Sequence, residues 1–75
     1  MAHTYTIVSE SNGNVEMTSF TSTRQREIMK MFNRFMASLS KMAGYSVEMV
    51  REGYAKYTYC GEWGMLEGEY YVRRD

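Results

Sequence analysis

One cysteine, one histidine, no proline and no net charge leave this 75-residue chain without most recognisable chemical signatures. The single cysteine, Cys60, excludes an internal disulfide framework, so a domain this small must rely on its core, on oligomerisation or on a partner. A lone cysteine also fits a reducing compartment, and a cytoplasmic location is expected. Metal binding needs three or four converging ligands, whereas His3 and Cys60 stand alone, with no Cys-x-x-Cys, His-Glu-x-x-His or calcium-loop spacing. No apolar run approaches the roughly 20 residues that span a bilayer. Polar residues are interleaved from His3 to Thr6, so no apolar signal-peptide segment is expected there. No metal, cofactor or membrane association is expected.

Apolar residues make up 44% of the chain and aromatics 15%, a globular rather than disordered composition. A chain this short buries only about 60% of the surface it exposes when unfolded. One domain over residues 1–75 is expected, with no room for a deep pocket.

The segment from Thr23 to Gly44 reads as an amphipathic helix. Ile28, Phe32, Phe35, Leu39 and Met42 recur at spacings of four and three, which aligns them on one side. Met29, Met31 and Met36 widen that arc enough to cover a sheet. Ser22 and Gln25 read as a capping box, with Thr23 the alternative cap, and Gly44 suits the position just past a helix end. Met29 and Met36, at the edge of the arc, are candidates for sharing with a partner.

The flanking segments are β-branched and aromatic. His3–Ser9 and Val15–Phe20 are joined through Asn12-Gly13-Asn14, a hairpin signal; Tyr5, Ile7, Val15 and Met17 are assigned to the inward face. Tyr45–Val50 and Tyr54–Tyr59 flank Arg51-Glu52-Gly53. A three-residue loop with Gly53 left-handed sets Met49 opposite Ala55, Val47 opposite Tyr57 and Tyr45 opposite Tyr59. Glu48 then meets Lys56 and Ser46 meets Thr58 on the other side. Gly61 and Gly64 mark a break around Trp63. A last strand near Glu67–Arg73 places Leu66, Tyr70 and Val72 inward, and a short extra hairpin at Glu67-Gly68 stays open. The expected fold is α+β: a single helix packed on an antiparallel sheet of four to five strands, in ββαβββ order.

Catalysis finds little support. A Cys60–His3 nucleophile would also need an orienting group and an oxyanion hole. Glu67 with Glu69, and Glu48 with Glu52, read as solvated acids rather than an acid–base pair in a cleft. Gly61-Glu62-Trp63-Gly64 and Gly68 precede a strand, whereas a phosphate-binding loop runs into a helix. A non-enzymatic protein is expected.

Two surfaces could recognise a partner. Seven tyrosines and Trp63 exceed what one small core can bury with satisfied hydroxyls, so Tyr54, Tyr71 and Trp63 are expected on an uncovered face or edge. Such residues are enriched at protein interfaces. With the acids Glu48, Glu52, Glu62, Glu67 and Glu69 they form the candidate partner-binding set, suited to the basic groove of a nucleic-acid-processing enzyme. A homodimer would also use them. The rival surface is the basic helix face, Arg26, Lys30, Arg34 and Lys41, which could line up phosphates. Zero net charge and acids elsewhere argue against nucleic acid.

No motif identifies a family. In general character, a compact α+β chain with a tyrosine-rich sheet resembles small accessory proteins of bacteriophages and mobile elements. That resemblance implies stoichiometric binding, for instance inhibition of a host nuclease or of a restriction or CRISPR defence complex.

Overall fold

A computed structural model describes residues 3–75. The element order is β1 (Tyr5–Ser11), β2 (Asn14–Ser22), α1 (Gln25–Ser40), β3 (Tyr45–Arg51), β4 (Tyr54–Gly61) and β5 (Gly64–Arg74). The strands form one antiparallel sheet in the order β2-β1-β5-β4-β3, with the helix packed on one face: the α+β fold the sequence predicts. Among the described residues no helix is long and apolar enough to cross a membrane.

The core lies between α1 and the sheet. Ile28, Phe32, Met36 and Leu39 form the buried stripe of the helix, against Ile7 and Ala55 below. Phe35 is half-buried, its ring between Phe20 and Tyr70 with centroids 5.1 Å from each. Met36 is a core residue rather than an edge residue free for a partner. Met29 is half-buried, packed over the buried Gly53. Burying each such aliphatic side chain contributes about 1.5–3 kcal/mol, which is how a domain of this size holds without cross-links.

The helix is shorter at both ends than its periodicity suggests. Ser22 is still a β2 residue, paired with Tyr5, so it forms no capping box. Its hydroxyl instead accepts the Arg24 N–H at 3.1 Å, turning the chain into the helix. At the other end the Ser40 hydroxyl donates to the Ala37 carbonyl, and the Lys41 N–H turns to Ser38. Helical pairing stops there, which leaves Met42 exposed beyond the end rather than in the stripe. Gly44 follows with a positive φ of 87°.

The first hairpin corrects one expectation. Asn12 and Gly13 take φ of 53° and 80°, the signature of a type I′ turn. A two-residue turn pairs odd positions with even ones: Ser11 with Asn14, Glu10 with Val15, Val8 with Met17. Val15 and Met17 therefore cannot share a face with Tyr5 and Ile7, and both lie exposed on the side away from the helix. A bulge over Thr18–Phe20 then shifts the register, and Phe20 reaches the helix side to meet Phe35.

The second hairpin has the expected register from Tyr45–Tyr59 to Met49–Ala55, its extra residue absorbed as a bulge before Tyr54. Between β4 and β5 the chain reverses at Glu62-Trp63, and β5 runs unbroken through Gly68. No hairpin forms at Glu67-Gly68. Gly68 lies opposite Tyr57, and a Cβ there would sit 2.6 Å from the tyrosine ring, so the missing side chain is what lets that ring lie flat on the strand. Leu66, expected inward, lies opposite Tyr59 beyond the packed cluster and is exposed.

Candidate functional site: the uncovered face of the sheet

Strand alternation sends every second residue away from the helix. Across the sheet, register then assembles a row that no single strand encodes: Glu48 beside Lys56, Lys56 beside Glu69, and Glu69 beside Glu10. One step further along, Ser46, Thr58 and Glu67 form a second row. Together these rows line an open concavity of about 620 Å³, with Ser11 and the Asn12-Gly13 turn as its rim. Four carboxylates, Glu10, Glu48, Glu67 and Glu69, face one ammonium, Lys56. Among the described residues the one ion pair is Arg73–Asp75 at 3.1 Å, so Lys56 is not locked to Glu48 or Glu69.

The other half of this face has a different character. Val8 is fully buried on the side away from the helix, in register between Met17 and Tyr71. Arg73 extends across to donate to the Met17 sulfur at 3.3 Å. Tyr54 pairs with Tyr71, both half-buried, and the Arg51 guanidinium stacks 4.7 Å above the Tyr54 ring. Tyr54 marks the seam between the halves. Its phenol is pushed above the ordinary value, first by hydrogen bonding to the Glu69 carboxylate, then by burial and by the negative charge of Glu69, with Arg51 pulling the other way.

The expected partner-binding set is thus brought together in part. Glu48, Tyr54, Glu67, Glu69 and Tyr71 share the uncovered face. Glu52 sits in the β3–β4 turn at one end, and Glu62 and Trp63 form the β4–β5 turn at the other. Seven strand steps separate Tyr54 from Gly61, about 23 Å, so Tyr54 and Trp63 cannot enter one pocket. Trp63 is 97% exposed. Glu10 belongs to the site and was missed, because its neighbour Glu69 arrives through pairing of the first strand with the last. Lys56 was legible only as the cross-strand partner of Glu48.

On the opposite side of the molecule Arg26, Lys30, Arg34 and Lys41 are all exposed. Glu27 is the acid of the helix, and no ion pair engages these cations among the described residues.

The pairing considered between Cys60 and His3 does not form. His3 contacts the Asp75 carbonyl at 3.2 Å, and Cys60 pairs with Met65, ten residues back along β5. That spacing is about 33 Å. Among the described residues no group of three His, Cys, Asp or Glu side chains converges as a metal site would require. Comparisons with known protein families, with curated proteins and with solved structures find no match to this chain.

Proposed function

We propose that the protein is a non-enzymatic, stoichiometric protein-binding module whose uncovered sheet face receives a basic surface of its partner. The carrying observation is the gathering of Glu10, Glu48, Glu67 and Glu69 around one open concavity with a single opposing lysine. Such a surface steers a basic partner and raises its association rate. Tyr54 and Tyr71 border it and supply amphipathic contact area. A nucleic-acid-processing or defence enzyme, whose own groove is basic, is the partner class this chemistry favours.

Capture of partners by the tagged protein, with and without nuclease treatment, tests the reading. Glu67→Lys with Glu69→Lys should abolish capture of a basic protein, nuclease should not, and Lys30→Glu with Arg34→Glu should leave it intact. Tyr54→Ala should speed dissociation where the ring is a contact.

A second reading rests on the unpaired basic row of the helix. If nucleic acid is the partner, Lys30→Glu with Arg34→Glu eliminates binding of a labelled duplex, and affinity falls steeply with salt. The two surfaces lie on opposite sides of the sheet, so the paired variants report on them separately.

A further inference from the structure

The two edges of the sheet are finished differently. β2 and β3 are its outer strands. The Asp75 N–H donates to the Thr4 carbonyl at 2.9 Å, which fixes the alternation on β1: Thr6, Val8 and Glu10 turn their backbone groups to β5, and Ile7 and Ser9 turn theirs to β2. On β2, Glu16 then faces inward while Val15 and Met17 face solvent. That outward run ends at once, because the ladder breaks over Thr18–Phe20 and the Ile7 carbonyl takes the Thr18 hydroxyl at 2.8 Å instead. A bulge of this kind is a standard way to blunt an edge.

β3 has no such break within Tyr45–Met49. The Cys60 N–H donates to the Gly44 carbonyl at 2.9 Å, so Ser46 and Glu48 face β4, and Val47 and Met49 send both backbone groups outward. Tyr45 offers its carbonyl outward; its N–H already donates to Met42. The strand carries no proline and no lysine, and its side chains Met49 and Val50 are 47% and 45% exposed.

We infer that β3 pairs antiparallel with β3 of a second copy, centred on Val47. Side-chain alternation allows only registers in which residues of one face meet residues of the same face. Centred on Glu48, the two Glu48 carboxylates would sit opposite each other at the close spacing of a non-hydrogen-bonded pair, which is repulsive. Centred on Val47, the pairs become Val47–Val47 and Tyr45–Met49 on the helix side, and Ser46–Glu48 on the other. Apolar meets apolar, and a hydroxyl meets each carboxylate. The backbone closes four hydrogen bonds by this geometry: each Val47 N–H to the other Val47 carbonyl, and each Met49 N–H to the other Tyr45 carbonyl. The two-fold axis runs perpendicular to the sheet, so both helices lie on one side and both acidic concavities on the other. Ser46, Val47 and Glu48 line that concavity, so the two would meet along the seam. The dimer does not depend on the acidic face having a protein partner.

Sedimentation velocity across a dilution series tests the pairing on the intact chain. The expected result is a species of twice 8.8 kDa that dissociates on dilution. Met49→Pro removes one outward N–H and leaves the β4-facing groups untouched, so it should be monomeric throughout with an unchanged circular dichroism spectrum. Met17→Pro, the matching change on β2, should leave the dimer in place. Hydrogen exchange on the unaltered protein should slow at Val47 and Met49 with rising concentration, while Val15 and Met17 stay fast; this readout decides if Met49→Pro does not fold. A chain that stays monomeric into the millimolar range, a dimer indifferent to Met49→Pro, or fast exchange at Val47 and Met49 in the dimer overturns the inference.

Discussion

On the helix side of the sheet, Ile7 and Ala55 pack with Ile28, Phe32, Met36 and Leu39, and they and Tyr57, which lies against the Tyr45 and Tyr70 rings, lose nearly all contact with water. On the other side of the same sheet, Glu10, Lys56 and Glu69 border an open concavity. A strand's period of two gives each strand two independent sets of side chains, one for stability and one for the surface. The helix sharpens the same division, with its apolar stripe inward and Arg26, Lys30 and Arg34 outward. Val8 breaks the symmetry. It is as buried as Ile7, yet it points away from the helix, beneath neighbours that belong to the uncovered face. That face therefore contains a small packed half, and only its acidic half remains open.

The largest test of the comparison is Phe32→Ala, which empties the centre of the helix side. It should cost about 3–5 kcal/mol, seen as a fall in the denaturant midpoint at constant slope. A cost below about 1 kcal/mol would place the ring outside the core.

Val8→Ala is the next. If the uncovered face is partly packed, this change should cost about 2 kcal/mol, whereas the exposed neighbour Met17→Ala should cost far less. Equal, small effects at both positions would make the two faces simply core and surface.

Alkaline titration sharpens the seam between the halves. Tyr54 and Tyr70 both have phenols raised above 10.0, Tyr54 chiefly through Glu69 and Tyr70 chiefly through burial. The folded state thus holds these protons more tightly than the unfolded state does. Their contribution is complete below pH 10 and is lost as the pH rises through the raised values. Glu69→Gln should return Tyr54 toward its ordinary value and leave Tyr70 raised, as followed by phenolate absorbance. Two unshifted tyrosines in that variant, or none shifted relative to the parent, would contradict the assignment.

The smallest expected effect belongs to the outer helix face. Lys30→Glu with Arg34→Glu should change stability by no more than about 0.5 kcal/mol, because neither cation is paired or buried. A larger loss in thermal unfolding would mean that the row has a structural role.

Local chemistry made much of this fold legible. The spacing of Ile28, Phe32 and Leu39 identified the helix and its buried side, and Arg51-Glu52-Gly53 set the register that aligns Val47 with Tyr57 and Glu48 with Lys56. Asn12-Gly13 marked the first turn, and its two-residue length already implied that Val15 and Met17 face away from Ile7, a consequence missed when hydrophobicity alone assigned them inward. Helix ends were less legible, because Ser22 and Ser40 use their hydroxyls in ways that depend on β2 pairing and on local competition for a carbonyl.

What the sequence by itself determined is whatever depends on neighbours a few residues apart: the helix, the three turns, and which side chains alternate. Only the tertiary structure decided that β5 inserts between β1 and β4, because pairing between residues such as Glu10 and Glu69 carries no local signal. That insertion joins acids from distant segments into one concavity and sets Val8 in register between Met17 and Tyr71. It also leaves β3, unbulged from Tyr45 to Met49, as an outer edge on which the outward backbone groups of Val47 and Met49 have no neighbouring strand among the described residues.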